Sequence, residues 1–238
     1  MKTSVILFSL ICVLAGVANA VQNFGSVGKG HGVVVPKEDS DPCPPSVLFL
    51  NFDGSAENGY CWQYGGIVPP YYGAFAECYD GTGTICGIQL HLTGIGNPCN
   101  TLDAYVWGDQ QGVPGNVLGM TTGLNPCPVA TWPSISTHDI AITGVAVSGA
   151  YWIGYWSDNS AQGCGYFVAA DTDGFGGCPM TNIAPGIGYP TGWNNASTIW
   201  GPTQSLGIGA WLGSGPPPNP TVNTTWGRVK QSNQKPKK

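Results

Sequence analysis

Asp171-Thr172-Asp173-Gly174 sets two carboxylates two residues apart, ahead of a glycine that can turn the chain. Ca2+ loops open this way, because a hard cation needs several oxygens on a sharply bent backbone. The loop departs from the full pattern and has no acid at its twelfth position. The same residues also make a plain Asp-rich turn after a strand. The plain turn is the favoured reading, and Ca2+ at Asp171 and Asp173, with Asp158 and backbone carbonyls as further oxygens, is the one cofactor the sequence suggests. A second chemistry is offered by aromatic side chains set among amides. Tyr71-Tyr72, Trp107 beside Asp109-Gln110-Gln111, and Trp193-Asn194-Asn195 lie in or near loops. Sugar C–H faces stack on such rings while amides and carboxylates bond the hydroxyls. Tyr71, Tyr72, Trp107, Trp193 and Asn194 are thus the expected ligand-binding residues. Core filling is the competing use of any large aromatic.

Catalytic constellations are thin. No serine has glycine at both −2 and +2, so there is no nucleophile elbow. His138 and Asp139 are neighbours on a presumed strand and point to opposite faces, so they form no ready dyad. A glycosidase needs two carboxylates about 5–9.5 Å apart. The only glutamates after Ser46 are Glu57 and Glu77. Glu57 sits in a turn-like run where a carboxylate accepts backbone N–H groups. No catalytic residue is assigned, and a secreted carbohydrate-active hydrolase using two of the ten acids from Ser46 onward is the alternative reading.

Charge limits the partners. All thirteen Asp and Glu fall between Glu38 and Gly227, and none of the eight Lys and Arg does, which leaves that stretch at −13. Arg and Lys are the side chains that clamp phosphate and carboxylate. A surface without them repels nucleic acid and anionic lipid. Neutral polysaccharide, or another neutral cell-surface component, is the expected partner.

Lys2, the apolar run Val5 to Val17 and Ala18-Asn19-Ala20 read as a cleaved secretory signal. No other stretch has the length and apolarity of a transmembrane helix. Export to the medium or the cell surface follows. Beyond residue 20 lie eight cysteines, an even number that argues for disulfides in an exported chain. Cys99 with Cys127, and Cys164 with Cys178, are the neighbouring pairs expected to bond first. Zinc is disfavoured, because no C-x2-C spacing exists.

These residues need a frame to hold them. Short β-branched and aromatic runs alternate with Gly, Pro, Asn and Asp clusters, and no capped helical period occurs. Strands are expected at Val47 to Phe52, Tyr60 to Tyr64, Ala74 to Tyr79, Ile85 to Thr93, Leu102 to Trp107, Asp139 to Thr143, Val145 to Val147, Tyr151 to Trp156, Gly165 to Ala170 and Ser205 to Leu212. In Tyr151 to Trp156, Tyr151, Ile153 and Tyr155 share one face, with Trp152 and Trp156 on the other. The expected fold is all-β, a disulfide-stabilised antiparallel β-sandwich over residues 46–213. An irregular segment at 21–45 precedes it, and a Pro-rich spacer with a basic tail at 214–238 follows it.

Three segments resemble one another's counterparts in a known group. Asn51 to Gln63 (NFDGSAENGYCWQ) is similar to a D-G-[ST]-x-E-N strand-turn opening. Asp103 to Leu118 (DAYVWGDQQGVPGNVL) resembles a strand, G-x-P-G loop and strand. Val145 to Trp156 (VAVSGAYWIGYW) resembles a later strand pair. They occur in that order in secreted and cell-surface accessory modules of bacteria. The resemblance implies a jelly-roll-like sandwich, non-catalytic, structural or glycan-binding.

Overall fold

The computed structural model describes residues 24–27, 30–35, 41–43, 45–62, 71–95, 100–158 and 165–213, with the side chains of 24 and 25 left aside. The signal at 1–20, the spacer and tail at 214–238, Cys99 and Cys164 lie outside the described residues.

The chain is all-β, apart from one short helix. Its strands are β1 (Phe24–Ser26), β2 (Gly32–Val34), β3 (Ser46–Phe49), β4 (Ser55–Ala56), β5 (Asn58–Trp62), β6 (Phe75–Thr93) and β7 (Leu102–Asp109). Then come β8 (Pro114–Leu124), β9 (Ser134–Trp156), β10 (Phe167–Asp171), β11 (Met180–Ile183), β12 (Gly192–Asn195), helix α1 (Ser197–Trp200), β13 (Ser205–Leu206) and β14 (Ile208–Gly213).

Two long strands organise the sandwich. β6 has 19 residues and β9 has 23. They pair antiparallel from Phe75 opposite Tyr155 to Leu92 opposite Ser136, with a register shift between Ile85 and Gly87. β7 extends the sheet on the free edge of β9, and β8 follows β7. β14 lies along β6, and β3 along β14. β10 joins the end of β6 and carries β5 and β13. The β11–β12 hairpin is attached at the start of β6. The layers are thus parts of one hydrogen-bonded sheet, because β6 and β9 are long enough to run through both.

Period-2 alternation fills the core. Tyr151, Ile153 and Tyr155 meet Ile85, Ile88, Leu90, Leu92, Val168 and Ile208 in the main cluster. Trp152 and Trp156 face the other way, into a second cluster with Tyr105 and Trp107. The expected split of that strand between two faces is therefore what the fold shows.

Three expectations are corrected. Asp80 to Thr84 is rich in glycine and looks like a break, yet it stays in the ladder. Gly81 and Gly83 stand opposite Gly149 and Ser148's neighbour Val147, and a Cβ on Gly83 would lie 2.6 Å from the Gly213 carbonyl oxygen. Glycine here permits close strand contact rather than a turn. Segment 21–45 is not wholly irregular, since β1 pairs with β5 and β2 pairs with β4 and, in parallel, with β9. Cys178 bonds Cys78, at a sequence separation of 100, and not Cys164. Sequence proximity is a poor guide here because the β11 hairpin folds back onto β6 and carries Cys178 with it. Cys43 bonds Cys86, and Cys61 and Cys127 are disulfide-bonded as well.

Candidate functional site

The aromatic residues singled out from sequence converge on one face. Tyr105 and Trp107 project from the same side of β7, as residues i and i+2 must, with ring centroids 5.2 Å apart. Trp107 stands opposite Trp152 on β9. Trp193, on β12, meets Trp107 edge-on at 5.3 Å. Tyr71 covers the other side, 4.7 Å from Tyr105 and 6.4 Å from Trp107. Tyr71 holds φ of 63°, a left-handed conformation that non-glycine residues seldom adopt. The turn is fixed by Ala74 N–H donating to the Tyr71 carbonyl and Gly73 N–H donating to Asn182.

Exposure divides the group. Trp107 is 1% exposed and belongs to the core. Tyr71, Tyr72 and Trp193 are half-buried and present ring surface to solvent. Asn194 donates through Nδ2 to the Pro190 and Gly192 carbonyls, so it secures the hairpin that carries Trp193. The Tyr72 carbonyl accepts the Trp156 indole N–H. Burial, with Asp103 and Tyr71 adding to it, pushes the Tyr105 hydroxyl up to about 12. This face is mainly ring surface, with the Asp103 and Asp109 carboxylates beside it.

The second region gathers carboxylates where the end of β10 meets residues 51–58. Asp171 is fully buried. Its Oδ1 accepts the N–H groups of Asp173 and Gly174, and its Oδ2 accepts that of Asp53. Burial raises its pKa although those N–H groups pull it down. Asp53, invisible as a candidate in the sequence, joins Asp171 and Asp173 with carboxylate oxygens within 4.8 Å of one another. These three are the residues that could hold a cation. Asp53 and Asp173 are exposed, and Asp53 also accepts from the N–H and hydroxyl of Ser55.

Glu77 lies deeper. Its Oε1 accepts the Leu206 N–H at 2.6 Å, and its Oε2 accepts from Cys178 N–H at 3.0 Å and from the Asn51 amide at 3.2 Å. Burial raises its pKa to about 7 against the pull of those donors. Three separate loops are tied to this one carboxyl. With no exposed surface, it is out of reach of any substrate.

Glu57, unlike Glu77, is partly open to solvent. Its Oε2 accepts the Thr172 N–H at 2.8 Å and the Thr172 hydroxyl at 3.2 Å. It lines a cavity of about 450 Å³ with Asn58, Tyr60, Thr172 and Trp200. Tyr60 and Trp200 stack there at 4.3 Å and 7°. Sequence reasoning passed over Trp200 and this cavity, because the four residues of α1 show no helical period. The only available signal was the aromatic pair Tyr60 and Trp62 beside Glu57 and Asn58.

No family model matches the chain, and neither does any curated protein. Among solved structures, it is similar at a TM-score of 0.47 and 13% identity to a chain holding the cysteine protease and lectin-like domains of Cwp84, a surface layer associated protein of Clostridium difficile. The match covers 76% of this chain and 37% of that one.

Proposed function

We propose that this chain is a non-catalytic module of the cell exterior that binds neutral glycans, as the exported bacterial accessory modules it resembles would. The observation that carries the reading is the half-buried pair Tyr71 and Trp193, braced on the buried rings of Tyr105 and Trp107. Rings fixed by packing lose little freedom when a sugar stacks on them. None of the described residues is Lys or Arg, which favours uncharged partners. Disulfides suit an exported chain. Burial removes Glu77 from any carboxylate pair that the alternative hydrolase would need. A Ca2+ ion at Asp53, Asp171 and Asp173 belongs to the proposal as a structural ion.

The test is retention of the intact protein on neutral polysaccharide gels and a glycan array, beside Tyr71→Ala and Trp193→Ala. The expected result is retention that both variants lose, with no reducing sugar released. Release of reducing sugar abolished by Glu57→Gln would overturn the reading.

A further inference from the structure

The cavity beside Glu57 is built for a different ligand from the aromatic face. Three observations define it. The first is its wall, the stacked pair of Tyr60, buried at 1% exposure, and Trp200, half-buried against Trp62 and Phe75. The second is the state of Glu57. Thr172 fixes Oε2 with two hydrogen bonds. Oε1 accepts no hydrogen bond among the described residues, and the nearest basic atom is Nδ1 of His31 at 3.8 Å. The third is that none of the described residues lining the cavity is Lys or Arg, the basic neighbour there being His31. The Glu57 side chain keeps 27% of its surface exposed, so its fixed carboxylate is open to a ligand's donor.

A neutral sugar hydroxyl would satisfy that oxygen weakly. An ammonium group would satisfy it with a charge-assisted hydrogen bond, the stronger kind, and aromatic walls are favourable surroundings for such a cation. Around this point the cavity offers the features of a ring-binding site: an apolar aromatic wall, the polar side chains of Asn58 and Thr172, and backbone at Gly30 and Gly201. Its volume of about 450 Å³ admits a sugar ring and excludes a folded partner.

We propose that the cavity lined by Glu57, Asn58, Thr172, Tyr60 and Trp200 binds an amino sugar through its protonated free amine, with the Glu57 carboxylate as the recognition group. The site is separate from Tyr71 and Trp193 and does not rest on the glycan reading of that face.

The experiment is a calorimetric or ligand-observed NMR titration of the intact protein with glucosamine, glucose, N-acetylglucosamine and propylamine. It is run at about pH 7.2, above the ordinary imidazole range and below the ordinary amine range. Glucosamine is expected to bind about tenfold more tightly than glucose or N-acetylglucosamine, the scale of one charge-assisted contact. Salt should erode that preference. Glu57→Gln should abolish it. Since Glu57 also anchors Thr172, a second variant guards against misfolding. His31→Arg, at a side chain 69% exposed, places a permanent cation beside Glu57 and should abolish the preference without disturbing the fold. Tyr71→Ala and Trp193→Ala should leave it intact. Equal binding of glucose and glucosamine, or a preference that survives His31→Arg, would overturn the proposal. So would propylamine binding as tightly as glucosamine, because the ring would then contribute nothing.

Discussion

The aromatic face and the carboxylate end solve the same problem in opposite ways. Among the described residues neither contains a lysine or arginine to form the ordinary ion pair. Around Trp107 the solution is to let ring surface dominate. Rings pack on rings, and the polar handles go to fixed partners, as when Trp152 donates to Asp109 and Trp156 to the Tyr72 carbonyl. Around Glu77 and Asp171 the acids are kept and backbone N–H groups replace the missing cations. Stability in the first region should depend on volume, and in the second on pH and donor count.

The largest effects come from removing the centre of each region. Trp107→Ala should cost about 3–5 kcal/mol, the usual range for a buried tryptophan. Glu77→Ala should cost a similar ~3–5 kcal/mol, because three buried donors lose their acceptor. Denaturant unfolding measures both. The comparison breaks if Glu77→Ala is nearly neutral, since the N–H groups would then not need the acid.

Next in size is the pH response. Glu77 titrates from 4.5 in the unfolded chain to about 7 in the fold. Its folded pKa is raised, so its contribution is complete below about pH 4.5 and is lost as pH rises through 7. Asp171 shifts in the same direction. His91, buried against Phe52 and Gln89, moves the other way, from 6.5 to about 4, chiefly through burial. Its contribution is present above about pH 6.5 and is lost as pH falls through 4. The Glu77 and His91 shifts are each worth ~3 kcal/mol. Between pH 4.5 and 6.5 the two slopes oppose, so the wild-type curve should be nearly flat there. Glu77→Gln should convert it into a rise toward neutral pH, and His91→Gln into a fall. Parallel curves for all three proteins would remove Glu77 and His91 as the cause.

A smaller effect separates the rings from one another. Trp193 is half-buried and Trp107 is sealed. Trp193→Ala should cost under ~1 kcal/mol in stability yet weaken glycan retention about tenfold, within the range of one stacked ring. That retention should not change between about pH 6 and 9, since ring faces rather than ionised groups make the contact. Loss of stability matching that of Trp107→Ala would mean that Trp193 is simply core.

How much of this could be read from residues alone follows the same division. The alternation in Tyr151 to Trp156 was legible because a strand's period is local, and it placed Trp152 and Trp156 correctly on the second face. The length of β6 was not legible, since Gly81 and Gly83 look like punctuation until their neighbours on β9 and β14 are known. Tyr71, Trp107 and Trp193 could be picked out by type and loop company, but sequence gave no measure of burial, which makes Trp107 a support and leaves Trp193 open. Asp53 joins Asp171 across 118 residues, and no local pattern carries that contact. Cys178 pairs with Cys78 for the same reason, through a hairpin whose docking is a tertiary fact.

The smallest effect tests whether the carboxylate end needs metal in addition to N–H groups. Asp171 already shares its oxygens among three backbone donors, so a Ca2+ ion at the triad would draw mainly on exposed Asp53 and Asp173. Such a site is weak and open to water. With Ca2+ about tenfold above its dissociation constant, the native state gains ~1.4 kcal/mol, and the melting temperature rises by roughly 3–5 °C for a chain of this size. Chelator should reverse the rise, Asp53→Asn should remove it, and Mg2+ should not reproduce it, because octahedral Mg2+ gives up water reluctantly. Glycan retention on the aromatic face should be indifferent to all three. An identical melt with Ca2+ and with chelator would mean that backbone N–H groups alone settle these acids, which is the sharper form of the contrast with the rings.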